Sequence, residues 1–135
     1  YLNKITSLSK KFVNMKIKIK GSLYNDKLMQ EYAANDIFIL PSIYDAASIV
    51  ITEALASGLF VIGSKFDGSA INFIQDKFNG ILIDPYNTIS IAESINFALD
   101  HVQNKSFDKN LIKQDMKKYS IENYARNFSS WDLIE

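Results

Sequence analysis

Short apolar runs alternate with stretches of helical periodicity along the 135 residues, the pattern expected of βαβ units that build a parallel sheet. Three runs, Ile37-Phe38-Ile39-Leu40, Leu59-Phe60-Val61-Ile62 and Ile81-Leu82-Ile83, are apolar throughout and predict interior strands covered on both faces. A fourth, Lys16-Ile17-Lys18-Ile19-Lys20, alternates with period two and predicts an edge strand with one wet face. Between the runs, Asn25 or Asp26 is placed to cap a helix through Ala34, and Ser48 one through Ser57 with Gly58 as its stop. A short helix is expected after Gly68, and a longer one from Asn87 or Thr88 through Asp100, where Ile91, Ile95, Ala98 and Leu99 share a stripe. The first residues read as helical. The tail predicts one helical segment near 108–118 and another from Ser120 carrying Ile121, Tyr124, Ala125 and Phe128. The class is α/β, in a single domain over 1–135 with C-terminal helices in about 107–135.

Composition narrows the chemistry. With 47% hydrophobic and 22% charged residues the chain is of ordinary globular type. Fifteen basic residues balance fifteen acidic ones, so no net charge draws the chain to nucleic acid or to an anionic membrane. Cysteine is absent and His101 is the single histidine, which excludes disulfide, thiol and iron–sulfur chemistry and a cysteine-based zinc site. No run approaches the roughly 18 apolar residues that span a bilayer, and no basic-then-apolar leader opens the chain; a cytoplasmic location is the expectation. Tyr1 in place of Met suggests an excerpt of something longer. Charge is uneven along the chain: seven Lys face Asp26 alone in residues 1–30, and two Lys face nine acids in residues 31–100. Arg126 is the sole arginine, so bidentate grips on phosphate or guanine are scarce.

In open parallel sheets, ligands bind beyond the carboxyl ends of the strands, which directs attention to the loops after Leu40, Ile62 and Ile83. The first, Pro41-Ser42-Ile43-Tyr44-Asp45-Ala46-Ala47-Ser48, runs into a helix whose free NH groups and positive dipole end suit a diphosphate. Asp45 lies just before this helix and Glu53 about one and a half turns inside it; carboxylates accept hydroxyl hydrogen bonds in pairs and suit a sugar or a ribose diol. Plainer readings stand beside these, with Asp45 as a turn or capping residue and Glu53 as an exposed helical glutamate. Yet Glu53 sits among Val50, Ile51, Ala54 and Leu55, where a carboxylate is partly buried or faces a cleft and needs a partner. The loop Gly63-Ser64-Lys65-Phe66-Asp67-Gly68-Ser69 has phosphate-loop glycine spacing without the Lys and hydroxyl that should follow, so it is not a P-loop. His101 has no acid or nucleophilic serine at a telling spacing, and neither a Ser-His-Asp order nor a metal-ligand cluster stands out.

Several segments in consistent order carry a resemblance. Tyr32-Ala33-Ala34-Asn35-Asp36-Ile37-Phe38-Ile39-Leu40-Pro41-Ser42, the acid pair Asp45 and Glu53, then Glu53-Ala54-Leu55-Ala56-Ser57-Gly58-Leu59-Phe60-Val61-Ile62, and finally Asn79-Gly80-Ile81-Leu82-Ile83 resemble the donor-binding half of retaining glycosyltransferases of family GT4. Roughly residues 13–100 are covered, and the flavour is that of lipopolysaccharide core glucosyltransferases. The resemblance implies a Rossmann-like parallel sheet with flanking helices, part of the C-terminal domain of a GT-B fold. It implies that Asp45, the first acid of the motif and the catalytic residue, contacts the transferred sugar, that Glu53 holds the ribose hydroxyls, and that Ala46, Ala47 and Ser48 complete the donor site, the amides of Ala47 and Ser48 facing sugar and diphosphate. It implies transfer from a nucleotide-sugar donor without a cofactor or metal ion, to a lipid or glycan acceptor held by an N-terminal domain outside this sequence, with peripheral contact at the inner membrane face. Ser48 stands where the family frequently has Gly, Phe60 where it has Pro, Asn72 where it often has Glu, and Asp45 is a methylene shorter than the usual Glu. In the family's strand order 3-2-1-4-5-6 the segment 16–20 would be strand 3, separated from its neighbours and without a ladder partner. This chain alone is therefore expected to be inactive.

Two further readings compete with the enzyme. One is a non-catalytic or degenerate nucleotide-binding module, which would bind donor without turning it over. The other is a nucleic-acid binder using Lys16, Lys18 and Lys20 on one strand face, which predicts steep salt dependence; zero net charge makes no nucleic-acid partner the expectation.

Overall fold

The computed structural model describes residues 16–120 and 122–123. The expectations for the first fifteen residues, for the stripe Ile121, Tyr124, Ala125 and Phe128, and for Arg126 lie outside these. The order is α1 (Asp26–Ala34), β1 (Ile37–Leu40), α2 (Ile49–Ala56), β2 (Phe60–Ser64), α3 (Gly68–Phe73), β3 (Gly80–Ile83), α4 (Thr88–Gln103), α5 (Lys109–Met116) and a 3-10 turn, Lys117–Tyr119. The three strands form one parallel sheet in the order β1-β2-β3. The register sets Leu40 beside Gly63 and Ser64 beside Ile83, so the loops that follow all three strands leave one edge.

The central strand explains the layering. Every residue of β2 is buried, and its side chains divide by the period of two. Val61 joins Tyr32, Ile51, Ala54, Leu55, Ala70, Ile112 and Met116 on one face. Phe60 and Ile62 join Ile83 and Ala98 on the other, backed by Ile91 and Ile95 of α4. Helices therefore cover both faces, as a run without polar positions requires. Ile91, Ile95 and Ala98 of the predicted α4 stripe make these contacts, joined by Phe97, whereas Leu99 is exposed. His101 stacks on Phe97 with ring centroids 4.4 Å apart, a packing role. Among the described residues, no helix is long and apolar enough to cross a membrane.

Chain reversals follow local chemistry. Gly58 has φ +83°, a left-handed conformation that glycine adopts without a Cβ penalty. There the Gly58 amide donates to Leu55 O at 2.9 Å and the Leu59 amide to Ala54 O at 3.0 Å, the paired bonds that close a helix before a sharp turn. Asn87 caps α4 by accepting from the amides of Ile89 and Ser90, both at 3.1 Å.

One predicted element is corrected. Residues 16–20 form no strand; Ile17 and Ile19 are exposed, and Lys20 is paired with Glu31 instead. Alternation supplies a face to bury but no ladder, and an isolated strand has nowhere to place its NH and C=O groups except water. The strand face on which Lys16, Lys18 and Lys20 would line up for nucleic acid is therefore missing.

Candidate functional site

The loop after β1 is tied to the loop after β2. The Asp45 amide donates to Phe66 O at 3.2 Å and the Gly68 amide to Asp45 O at 3.0 Å, a short parallel bridge between Asp45 and Asp67 beyond the named strands. Close approach requires glycine at 68, because a Cβ there would lie 2.1 Å from Ala46 O. The tie delivers Asp45, Ala46, Ala47 and Ser48 to the carboxyl edge of the sheet, immediately before α2.

Each candidate residue takes a distinct position. Asp45 is half-buried, and its Oδ1 accepts from the Ala47 amide at 3.0 Å, which closes a local turn. The turn reading of Asp45 is thus real, and it occupies one of the two amides expected to face ligand. Ala46 and Ala47 are exposed and Ser48 is buried. Ser48 stands at the N-cap position of α2 but makes no side-chain cap bond; its hydroxyl donates to Asp67 Oδ2 at 2.5 Å. Asp67 is fully buried, and its Oδ1 accepts from the Ala70 amide at 3.0 Å, capping α3.

Glu53 is half-buried, and its partner is Tyr32 of α1, whose hydroxyl donates to Glu53 Oε2 at 3.2 Å. Burial, followed by the hydrogen bond to Glu53 and that carboxylate's charge, pushes the Tyr32 hydroxyl up to about 12. The phenol therefore stays protonated and donating throughout the physiological range. Sequence reasoning missed this residue as a partner, although Leu28 and Tyr32 stand four apart on a helix and a buried tyrosine's polar tip seeks an acceptor. Asp67 was missed as well; an Asp before Gly-Ser-Ala is a capping signal, but its bond to Ser48 spans nineteen positions.

Asp45–Ser48 and Glu53 occupy two stations, the first before α2 and the second within it. A cavity of about 610 Å³ lies beside the second, walled by Thr52, Glu53 and Ala56, by Lys113 and Met116 of α5, and by Phe73, Lys117, Tyr119 and Ser120. None of Asp45–Ser48 lines it. The open carboxyl edge, with its turn and helix start, is the better candidate for an anionic ligand, since the cavity wall is mostly apolar. At the same edge Lys65 pairs with Asp84 at 2.8 Å and holds that half-buried carboxyl below the usual carboxylate range. Among the described residues no group of three or more His, Cys, Asp or Glu side chains is gathered as a metal site needs.

Parallel strands between helix layers, with a loop and helix start at their carboxyl edge, place the protein in the Rossmann-like class of α/β proteins. The chain belongs to the glycosyl transferases group 1 family, whose family model matches residues 3–118. It is 32% identical over 115 residues to an uncharacterised glycosyltransferase of Methanocaldococcus jannaschii, covering 84% of this chain and 29% of that protein. It is also 32% identical over 110 residues to the lipopolysaccharide 1,2-N-acetylglucosaminetransferase of Salmonella typhimurium, covering 80% of this chain and 29% of that protein. The fold is shared with sucrose-phosphate synthase from Thermosynechococcus elongatus, at a TM-score of 0.61 and 22% identity over 95% of this chain and 34% of that one. The chain thus spans under a third of the length of the Methanocaldococcus and Salmonella relatives.

Proposed function

We propose that the chain is the donor nucleotide-sugar-binding part of a retaining glycosyltransferase that moves a hexose to a lipid or saccharide acceptor. The observation that carries this reading is the tied loop at the carboxyl edge, which brings Asp45 and the start of α2 together while Tyr32 orients Glu53 farther along the same helix. In this reading Asp45 Oδ2 receives hydroxyls of the transferred sugar and Glu53 accepts from the ribose diol. The N-terminus of α2 stabilises the negative charge that grows on the diphosphate as its bond to the sugar breaks, an electrostatic contribution that requires no metal ion. The acceptor is held by parts of the protein outside this sequence, and the enzyme works in the cytoplasm with peripheral contact at the inner membrane face. The Salmonella relative, named for a lipopolysaccharide transfer, supports an acceptor of that kind.

A thermal melt in millimolar UDP, UDP-glucose, GDP or GDP-mannose tests the reading. Ligand at one hundred times Kd stabilises the folded state by about 2.7 kcal/mol, so one nucleotide family should raise the midpoint and name the base. Glu53→Ala should erase that shift. A midpoint unmoved by all four compounds would refute donor binding. Binding without glycosyl transfer by the full-length protein would leave a nucleotide-binding module in place of an enzyme.

A further inference from the structure

A serine before a helix ordinarily turns its hydroxyl oxygen onto an amide of the first turn, and at Ser48 that would be the amide of Val50 or Ile51. The hydroxyl is engaged elsewhere: it donates to Asp67 Oδ2 at 2.5 Å, and no side-chain cap forms on α2. Asp67 itself has little freedom. It is fully buried, its Oδ1 is held by the Ala70 amide, and the backbone on either side is bonded to Asp45 through Phe66 O and the Gly68 amide. One carboxylate therefore caps α3 with one oxygen and withdraws the capping group of α2 with the other.

We propose that Asp67 is a positioning residue for nucleoside diphosphate binding. It keeps the Ser48 hydroxyl off the Val50 amide in the first turn of α2, so that this amide remains for the ligand's phosphate oxygens, while the Ile51 amide donates to Ser48 O at 3.3 Å. This rests on the donor-binding reading above. Ser48 brings a hydroxyl that would compete with the ligand, and Asp67 engages it. The same bond turns the serine side chain toward the α3 side and away from the mouth of the helix.

Two substitutions at 67 separate the tether from the charge. Asp67→Ser keeps an oxygen to cap α3 but is too short to reach Ser48. Asp67→Asn keeps both functions, its carbonyl capping α3 and its amide donating to the Ser48 hydroxyl oxygen. Both remove the same negative charge, so a difference between them reads the tether alone. Isothermal titration of the full-length protein with UDP and with GDP should show the Asn variant binding its preferred nucleotide about fivefold more tightly than the Ser variant, the size of one net hydrogen bond. In a Ser48→Ala background, where no hydroxyl needs withdrawing, that ratio should collapse to near one. Should the Ser variant fail to fold, Asp67→Gly takes its place, since glycine is tolerated at an N-cap at small cost and cannot hold Ser48. Equal affinities in the presence of Ser48 would overturn the proposal. So would a ratio that persists without the Ser48 hydroxyl, because the effect would then be the capping of α3 alone. Wild-type protein that titrates with neither nucleotide would remove the donor-binding reading, and this proposal with it; wild-type binding with a flat variant series overturns only the role of Asp67.

Discussion

Tyr32→Phe removes one oxygen atom and should make the stability difference from wild type change sign with pH. At pH 7 the variant loses a hydrogen bond to Glu53 that is long at 3.2 Å. Glu53 is only half-buried and can turn to water, so the cost is about 1 kcal/mol, below the usual value for a charged acceptor. Alkaline pH works in the opposite sense. The hydroxyl's folded-state value of about 12 stands above its ordinary 10.0, so the stability it contributes is complete below pH 10 and is lost as pH rises toward 12. A two-unit displacement is worth about 2–3 kcal/mol, and Phe at 32 carries none of it. Every other ionisable group is common to the two proteins and cancels in the difference. Wild type should therefore be the more stable protein at pH 7, and the two stabilities should cross near pH 11. Urea denaturation at intervals from pH 7 to 11.5 measures both curves. A difference that stays flat between pH 9 and 11.5 would show that Tyr32 is not the buried, carboxylate-bonded phenol described here.

Gly68→Ala places a methyl about 1 Å inside ordinary contact with Ala46 O. The Asp45–Gly68 bonds should open, with a stability loss of about 2–4 kcal/mol and at least tenfold weaker nucleotide binding, read by urea denaturation and calorimetry. Unchanged affinity would mean that the tie between the two loops does not shape the site. Asn79→Ala strips two bonds from a fully buried side chain, which accepts from the Gln75 amide at 2.8 Å and donates to Phe73 O at 3.0 Å. A loss of about 3 kcal/mol in urea denaturation is expected, with nucleotide affinity of the folded fraction preserved, because Asn79 lies at the start of β3 and away from the carboxyl edge.

Most elements were legible because their causes are local. The three apolar runs became the three strands, Gly58 closed α2, Asn87 capped α4, and the described part of the tail formed α5 near the predicted segment. The segment 16–20 misled because alternation reports a face and says nothing of a neighbour to pair with. Glu53 was rightly judged to need a partner, yet its identity was hidden, since Tyr32 is twenty-one positions away.

Sequence by itself determined the α/β alternation, the helix boundaries at Gly58 and Asn87 but not the caps expected at Asn25 and Ser48, which make no side-chain cap bond, and the placing of an acid pair at a loop and the helix it enters. These depend on backbone preference and on apolar spacing within a few residues. Only the tertiary structure decided what each polar group does. The Ser48 hydroxyl serves Asp67 and not its own helix, the Ala47 amide serves Asp45, and Glu53 answers to Tyr32. A hydroxyl or a carboxylate accepts many partners of similar local strength, and which one it takes depends on what packing brings within hydrogen-bonding distance once β2 is buried between its helices.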